Sequence, residues 1–356
     1  MPPPRYLMRE VLHAPRDWLR KVRRAARWFL FRSSISRDGI LRLRLAPFVE
    51  AIFNATPGTR MKTFQRLCLS LSTSRRASPT LVCEINSLAD FESSYAQLAA
   101  MLGQAGKTAP PSEIEFLRKI DNQRATYQGR IGISDCLFLT AFVSILAPLR
   151  VVEIGTLGGF SAGIIAAALR RQHGQGEAAQ VDTIDVSAKC LIDDTRPTGF
   201  EIIESFSELA SMIRLHVPHD CSILSELAEH NELEVVFIDA DHRHPMPLFD
   251  LLRLAPYMRC GGWIVVHDIR LGTMGRAASE AGHSYRWGAA YGAEWLFDWW
   301  PFRKISGGNI GAIQLPNDKS ELLPFALRLM SLPFEFQEKH ALRARCALHR
   351  SFEKLI

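Results

Sequence analysis

The stretch VVEIGTLGGFSAG, residues 151–163, constrains the possible folds of this chain most strongly. A short apolar run ends at Glu153, glycines follow at 155, 158, 159 and 163, and an alanine-rich segment comes next. This order predicts a buried strand, a tight turn and a helix whose free N–H groups point back at the turn. Such N–H groups suit a carboxylate or a phosphate, so we expect a ligand to approach the backbone here.

The alternation of strand and helix continues along the chain. The predicted strands are RVVEI, VDTID, IRLHV, EVVFID and GGWIVVHD, with helical patterns between them. This alternation predicts a mostly parallel sheet that is covered by helices on both faces. PFRKI and NIGAIQL are separated only by SGGN, which predicts a hairpin and therefore an antiparallel last strand. We expect an α/β fold with a doubly wound sheet.

The chain divides into three expected segments. Residues 103–111 are linker-like, and Ser112 followed by acids has the pattern of a helix start. We therefore expect a basic, mostly helical N-terminal extension over 1–111, the α/β domain over 112–315 and a helical C-terminal tail over 316–356.

The positive charge is concentrated at the beginning of the chain. Residues 1–32 carry nine Arg or Lys side chains against two acids, whereas the whole chain has a net charge of +6. Apolar residues recur between the arginines at helical spacing, which predicts a basic amphipathic helix. Three alternatives stay open: the helix packs on its own protein, contacts an anionic membrane surface as a peripheral partner, or is a targeting segment. We see no nucleic-acid-binding motif and expect no nucleic-acid partner.

Cysteine usage and hydropathy limit the class of protein. The seven cysteines are scattered and form no CxxC pair, which favours reduced thiols over a disulfide framework or a zinc site. A run of about eighteen apolar residues, as a transmembrane helix requires, is missing from the sequence. We expect a cytoplasmic protein, with peripheral membrane contact only if residues 1–32 provide it.

Acidic or polar side chains stand at four predicted strand ends. They are Glu153, Asp185, Asp239 and the pair His267 and Asp268. The carboxyl ends of the strands in a doubly wound sheet form the edge where such folds bind ligands. A buried carboxylate costs several kcal/mol unless it is paired, so acids at all of these ends indicate a site rather than packing.

The glycine turn departs from two common nucleotide-binding motifs. A dinucleotide fingerprint requires G-x-G-x-x-G, but Leu157 occupies one of the required glycine positions. A phosphate-binding loop requires Gly-Lys followed by Ser or Thr, which this stretch lacks. The pattern therefore argues against NAD and ATP.

Several motifs taken together resemble a known family. EIGTLGGFSA resembles the first motif of class I S-adenosylmethionine-dependent methyltransferases, in the form found in small-molecule O-methyltransferases related to catechol and caffeoyl-CoA enzymes. VVFIDADHRH, CGGWIVVHDI and GGNIGAIQL are similar to the branch that contains macrolide and sugar O-methyltransferases and cephalosporin-hydroxylase-like proteins. The resemblance covers roughly residues 112–315 and implies a seven-stranded, Rossmann-like sheet with an antiparallel last strand.

The resemblance implies S-adenosylmethionine as the cofactor. Glu153 would then hold the methionine amino group, Ser161 would meet its carboxylate, and Asp185 would accept hydrogen bonds from the ribose hydroxyls. Asp220 follows the third strand, where such enzymes touch adenine, and a helix cap is an equal alternative for it. The expected cofactor-binding residues are Glu153, Gly155, Thr156, Gly158, Gly159, Ser161, Asp185, Asp220 and Asp239.

The same resemblance raises the question of a divalent metal. The positions that match magnesium ligands in metal-dependent relatives carry Asp239, His267 and Asp268, and His242 stands in place of a catalytic lysine. Carboxylates suit magnesium, whereas imidazole suits transition ions better. Two alternatives stay open. In one, a metal lowers the pKa of a substrate hydroxyl and His242 takes the proton; in the other no metal binds, and His242 or His267 alone is the base.

The expected activity is methyl transfer from S-adenosylmethionine to a hydroxyl of a small molecule, such as a sugar or a secondary metabolite. Tyr285, Trp287 and Tyr291 are expected to line the acceptor pocket. Two other functions stay open: a metal-dependent, hydroxylase-like enzyme of the same branch, and a non-catalytic methyltransferase-like scaffold recruited by its basic N-terminus. A homo-oligomer also stays open.

Overall fold

The computed structural model describes residues 65, 68, 69, 76–123, 129–174, 179–229, 232–284 and 288–335. The basic segment 1–32, Tyr285, Trp287 and the tail beyond residue 335 lie outside the described residues. The alternatives for the basic segment therefore stay predictions, as do the segment boundaries at 111 and 315.

The described chain contains ten strands. They are β1 (Thr80–Val82), β2 (Arg150–Ile154), β3 (Gln180–Ile184), β4 (Lys189–Cys190), β5 (Asp193–Pro197), β6 (Ile213–His216), β7 (Leu233–Ile238), β8 (Met258–Val266), β9 (Lys304–Ser306) and β10 (Gly311–Gln314). Eight of them form one sheet in the order β1-β9-β10-β8-β7-β2-β3-β6, and β4 pairs with β5 in a separate hairpin. In the large sheet β10 is antiparallel to both neighbours and the other pairings are parallel.

Helices cover both faces of this sheet. They are α1 (Phe91–Met101), α2 (Pro111–Gln123), α3 (Ile133–Leu146), α4 (Phe160–His173), α5 (Phe200–Glu204), α6 (Leu224–Leu227), α7 (Met246–Leu254), α8 (Leu271–Glu280), α9 (Gly292–Asp298) and α10 (Leu322–Met330). Side chains of α1 to α4 belong to one hydrophobic cluster, and those of α7, α9 and α10 belong to a second. Val151 faces the first cluster and Val152 the second, which explains why β2 reads as a continuous apolar run.

The structure confirms the expected fold class, a doubly wound and mostly parallel sheet with an antiparallel last strand. It adds an edge strand that the sequence did not reveal. β1 pairs in parallel with β9, although it lies inside the segment that we expected to be a mostly helical extension. Three residues are too few to show a strand period, and Leu81 and Val82 are exposed, as is common at a sheet edge.

Helix α3 ends before Pro148 and is buried on nearly every side. Eleven consecutive residues, from Asp135 to Ile145, are buried. A helix that is hydrophobic all round lies between other elements rather than on a surface. The acid in its first turn, Asp135, therefore requires a polar partner.

Strand register brings the expected site residues to one edge. Ile154 of β2 pairs with Ile184 of β3 and with Ile238 of β7, and Ile238 pairs with Val266 of β8. Because these pairings are parallel, the residues that follow the four strand ends are neighbours. They are Gly155, Asp185, Asp239 and His267.

The cysteines that the structure describes are free thiols. Cys68, Cys83, Cys136, Cys190 and Cys221 are buried, and Cys260 is exposed. Within the described ranges, no helix combines the length and the apolar character that crossing a bilayer requires.

Candidate active site

The turn after β2 is closed by contacts within the protein. Gly155 has a φ of +99°, and the carbonyl oxygen of Asp239 lies 2.2 Å from the position that a Cβ would take. Gly159 has a φ of +89°, and a side-chain carbon of Ile202 lies 2.6 Å from its Cβ position. Both glycines are therefore required by a left-handed backbone and by close packing. Protein atoms occupy the space beside both Cβ positions, and a contact of these glycines with the cofactor stays a prediction.

Helix α4 begins at Phe160, directly after the glycine turn, and an ion pair stabilises its start. Glu201 lies 2.5 Å from Arg130 and is buried, and its Oε1 would be 2.6 Å from a Cβ on Gly158. The Arg130 guanidinium also lies over the Phe160 ring at 4.5 Å. Ser161 is buried in the first turn of α4, at the position expected for a contact with the methionine carboxylate.

Glu153 is fully buried at the centre of the sheet edge. Thr183 of β3 donates to its Oε2 at 2.5 Å, and Thr183 lies 2.6 Å from the hydroxyl of Thr156. The other carboxyl oxygen, Oε1, has no hydrogen-bond partner among the residues that the structure describes. Burial raises the pKa of Glu153 to about 8, although interactions with the hydroxyl groups of Ser161 and Thr183 oppose this rise; Asp239 and Asp185 add smaller raising effects. A cationic ligand at Oε1 would therefore stabilise the charged form of Glu153, which burial disfavours.

Asp185 supports the glycine turn directly. Its Oδ2 accepts hydrogen bonds from the backbone N–H groups of Thr156 and Leu157, both at 3.1 Å. Its Oδ1 accepts from the N–H of Ser187 at 2.9 Å. Asp185 thus lies at the expected sheet edge, where it also shapes the turn.

Asp220 acts as a helix cap. Its Oδ1 accepts from the backbone N–H of Ser222 at 2.9 Å, and its Oδ2 lies 3.1 Å from Arg253. These contacts lower the pKa of Asp220 although burial opposes them. The capping alternative that we left open for Asp220 is therefore present, and a contact with adenine stays a prediction.

Two histidines and two aspartates converge after β7 and β8. Nδ1 of His267 lies 2.8 Å from Asp239 and 3.8 Å from Asp268. Nε2 of His242 lies 3.1 Å from Asp268 and 3.6 Å from Asp239. One ligand atom from each of Asp239, His242 and His267 lies within 4.8 Å of the others. The structure thus brings together all the residues that we expected to bind metal or to act as base, and it places His242 among them.

His267 is held between carboxyl groups on both sides. Its Nε2 lies 3.3 Å from Asp135 of α3, opposite the contact of Nδ1 with Asp239. Burial alone would lower the pKa of His267, but Asp239, Asp268 and the hydrogen bonds to Asp135 and Asp239 together raise it well above its ordinary value. The pKa of Asp239 is lowered by His267 and His242 in spite of burial. The surrounding carboxylates therefore favour the protonated form of His267 over its neutral form.

Asp268 sits in an unusual backbone conformation. Its φ is +58°, a region that costs a residue with a Cβ about 1–2 kcal/mol. The side-chain amide of Asn309 donates to Asp268 Oδ1 at 2.6 Å. Backbone strain of this kind is concentrated at functional sites, where the surrounding contacts maintain it.

Sequence reasoning missed three polar partners at this site: Asp135, Thr183 and Asn309. Asp135 carried a usable signal, because an acid in an otherwise apolar helix needs a partner. Asn309 lies in the SGGN hairpin, which we interpreted only as turn chemistry. Thr183 is a β-branched residue in β3, so its position in the sequence fits a strand equally well with or without a functional role.

The loop that carries His242 is supported from the C-terminal part of the chain. The carboxylate of Glu335 accepts from the backbone N–H of His244 at 2.5 Å and from that of Tyr291 at 2.9 Å. His244 is buried against Trp295, and burial lowers its pKa to about 4. The surroundings of His244 are those of a packed side chain whose neutral form is favoured.

We predict that Gly155→Ala destabilises the protein by about 3 kcal/mol or more, because left-handed strain and overlap with the Asp239 carbonyl each cost about 1–3 kcal/mol. Gly282→Ala is the matched control, since Gly282 has a φ of +76° and no atom within 4 Å of its Cβ position. Strain alone should lower the stability of the control by about 1 kcal/mol. Urea denaturation measures both losses, and equal losses would contradict the close approach at Gly155.

We predict that Glu153→Gln raises the stability of the ligand-free protein, increasingly so from pH 5 to pH 8. The folded protein holds the Glu153 proton more tightly than the unfolded chain does. The stability that this proton contributes is therefore fully present below the ordinary pKa of 4.5 and is lost as the pH rises through about 8. Glutamine has no such loss. Thermal unfolding at several pH values measures the difference, with the exposed Glu226→Gln as control. A difference that is independent of pH would show that the pKa of Glu153 is not raised.

Comparison with known proteins agrees with this geometry. Residues 152–269 match the family model described as a methyltransferase domain. No curated protein matches the chain.

Solved structures with a similar backbone fold include three that are described with a cofactor or its product. Cofactor-bound Rv0187 from MTB is 21% identical, covers 62% of this chain and 97% of its own, and has a TM-score of 0.39. The O-methyltransferase from Bacillus cereus in complex with SAH is 17% identical, with coverage of 54% and 80% and a TM-score of 0.34. The O-methyltransferase TomG from Streptomyces achromogenes with SAM is 16% identical, with coverage of 59% and 83% and a TM-score of 0.34.

The family match covers the strands that carry Glu153, Asp185, Asp239 and His267, and the sheet has the expected antiparallel ending. Over residues 152–269 the chain therefore matches a methyltransferase domain.

Proposed function

We propose that this protein transfers the methyl group of S-adenosylmethionine to a hydroxyl group of a small molecule. The observation that carries the proposal is the buried carboxyl of Glu153, whose Oε1 lacks a partner in the described part of the chain. It lies at the edge of a methyltransferase sheet, beside a glycine turn and the start of a helix. The methionine end of the cofactor has an ammonium and a carboxylate, which suit these two features respectively.

The residues present fit the cofactor. The ammonium group would satisfy Glu153 Oε1, and Ser161 in the first turn of α4 is placed for the carboxylate. Asp185 already accepts three backbone hydrogen bonds, but two carboxylate oxygens offer about four acceptor sites, so a ribose hydroxyl can share them. The cofactor supplies the electrophilic methyl group, and these residues bind and orient it.

The residues at the ends of β7 and β8 also fit a divalent ion. We propose that Asp239, His267 and Asp268 hold it, with His242 within reach. A mixture of imidazole nitrogens and carboxylate oxygens favours a transition ion over magnesium. Such an ion would lower the pKa of the acceptor hydroxyl.

The geometry favours His242 over His267 as the proton acceptor. Both ring nitrogens of His267 face carboxyl groups, and its side chain is 11% exposed. The side chain of His242 is 23% exposed and lies on the loop beside Asp268. We propose that His242 takes the hydroxyl proton as the oxygen attacks the methyl group.

The acceptor is proposed to be a small molecule with a free hydroxyl, such as a sugar or a secondary metabolite. This rests on the resemblance of the VVFIDADHRH and CGGWIVVHDI motifs to small-molecule O-methyltransferases. Tyr291 stacks on Trp295 at 5.4 Å next to the His242 loop, and we propose that it forms part of the acceptor wall. Methyl transfer then depends on alignment of the hydroxyl oxygen with the methyl group.

A second candidate function follows from one observation. Asp239, His242 and His267 form a set of two histidines and one carboxylate, which is typical of non-haem iron oxygenases. A metal-dependent hydroxylase-like activity would use the same cluster. Oxygen consumption by the ferrous protein in the presence of candidate acceptors tests it, and methyl transfer that does not respond to iron would argue against it.

We predict that S-adenosylhomocysteine binds with a micromolar dissociation constant, about −8 kcal/mol. Glu153→Gln and Asp185→Ala should each weaken binding at least about tenfold, since a charge-assisted hydrogen bond contributes about 1.5–3 kcal/mol. Because the Glu153 pKa is about 8, the ammonium should displace a proton at pH 7, and calorimetry in two buffers of different ionisation enthalpy measures its release. Glu226→Gln is the control.

The same titration decides between the enzyme and the scaffold. Binding without any response to Glu153→Gln and Asp185→Ala would contradict our site assignment. No binding at all, with or without added Mg²⁺ or Mn²⁺, would contradict the proposed function and favour a non-catalytic scaffold.

We predict that His242→Asn lowers kcat for methyl transfer by about 10²–10⁴-fold, the usual contribution of a placed base, without changing the affinity for S-adenosylhomocysteine. A screen of sugars and phenols with methyl-labelled cofactor first identifies an acceptor. His219→Asn, an exposed histidine in the loop after β6, is the control. An unchanged kcat in His242→Asn would show that another group accepts the proton.

A further inference from the structure

We infer that Asp135 is a positioning residue for the active site, acting through His267. Asp135 lies in the first turn of α3, outside the segment that matches the methyltransferase family model. Its carboxylate reaches the far side of the His267 ring, with Oδ2 lying 3.3 Å from Nε2. The inference rests on the proposed function in one respect, namely that His267 belongs to the reaction site.

Helix capping does not account for Asp135. Its Oδ2 accepts from the backbone N–H of Gly132 at 3.2 Å, so it does contribute to the start of α3. Capping groups ordinarily stand in water, where an acid loses no solvation. Asp135 is only 4% exposed, and burying a carboxylate costs several kcal/mol unless a partner compensates. His267 is that partner.

The contact determines which way the His267 ring faces. An imidazole has two nitrogens on opposite sides of the ring, so holding Nε2 at Asp135 directs Nδ1 toward the site. There Nδ1 lies 2.8 Å from Asp239 and 3.8 Å from Asp268. Histidines that bind metals commonly make such a contact with a carboxylate through the second nitrogen, and its removal weakens metal binding by about 10–100-fold.

Asp135 retains capacity for a further hydrogen bond. Its Oδ1 is buried and has no hydrogen-bond partner within the described ranges. Asp135 is placed by α3, whereas Asp239 and Asp268 follow β7 and β8. The orientation of His267 therefore depends on how α3 packs against the sheet.

The test compares the full-length wild type with Asp135→Leu and Asp135→Asn. Leucine keeps a similar volume without an acceptor, whereas the asparagine amide oxygen can still accept from Nε2–H. Crystal structures report the orientation of the His267 ring, and calorimetry with Mn²⁺ and Zn²⁺ reports metal affinity. We expect Asp135→Leu to release the ring from Asp239 and to weaken metal binding about 10–100-fold, with Asp135→Asn restoring both.

Glu113→Gln is the matched control for a purely structural effect. Glu113 is buried on α2, accepts from Ser144 of α3 and pairs with Arg171 at 2.5 Å. This control should lower the melting temperature but leave ring orientation and metal affinity unchanged. If Asp135→Leu does not fold, Asp135→Ser takes its place. Serine is polar, but its side chain is too short to contact His267.

An unchanged ring orientation in the variants that lack the acceptor would overturn the inference, and so would unchanged metal affinity. If the wild type binds neither ion, ring orientation alone decides. Both measurements are made without cofactor or acceptor. Failure of the protein to bind S-adenosylhomocysteine would therefore contradict the proposed function. The role of Asp135 would still be decided by the orientation of the His267 ring.

Discussion

The close approach of the Asp239 carbonyl to Gly155 is the constraint on which the site depends. Ile154 accepts from the N–H of Asp239 at 2.8 Å, and the N–H of Gly155 donates to Ile184 at 2.9 Å. The loops that leave β2 and β7 are thereby joined at the sheet edge with no space for a side chain between them. The pairing of β2 with β7 places Asp239 beside the end of the strand that carries Glu153, and parallel register adds Asp185 and His267.

The polar groups at this edge differ in how completely their burial is compensated by hydrogen bonds and ion pairs. His267 and Asp239 compensate each other, whereas Glu153 has a raised pKa and a carboxyl oxygen without a hydrogen-bond partner among the described residues. A fold selected only for stability would avoid such a group. Sites that bind a charged ligand commonly keep a group that is incompletely satisfied until the ligand arrives. Glu153 fits that description, and the strained backbone of Asp268 is a second departure at the same edge.

Much of the fold could be predicted because its signals are local. Apolar runs, glycine turns and helical periods identified the central strands and α3 and α4, and the short SGGN linker identified the antiparallel ending. β1 and the β4–β5 hairpin were missed, since strands of two to five mostly polar or exposed residues show no clear period. The site could be predicted in part for the same reason: its acids follow strand ends that are visible in the sequence.

The amino-acid sequence by itself determined the class of fold, the edge at which the site lies and the residue types that stand there. Tertiary structure alone decided which of these groups meet. Asp135 and His267 are 132 residues apart, and their contact depends on the packing of α3 against the sheet. The same holds for Asn309 and Asp268, which are 41 residues apart. Strand periods and turns arise from neighbouring residues, whereas the direction in which an imidazole ring faces depends on side chains that only the folded chain brings together.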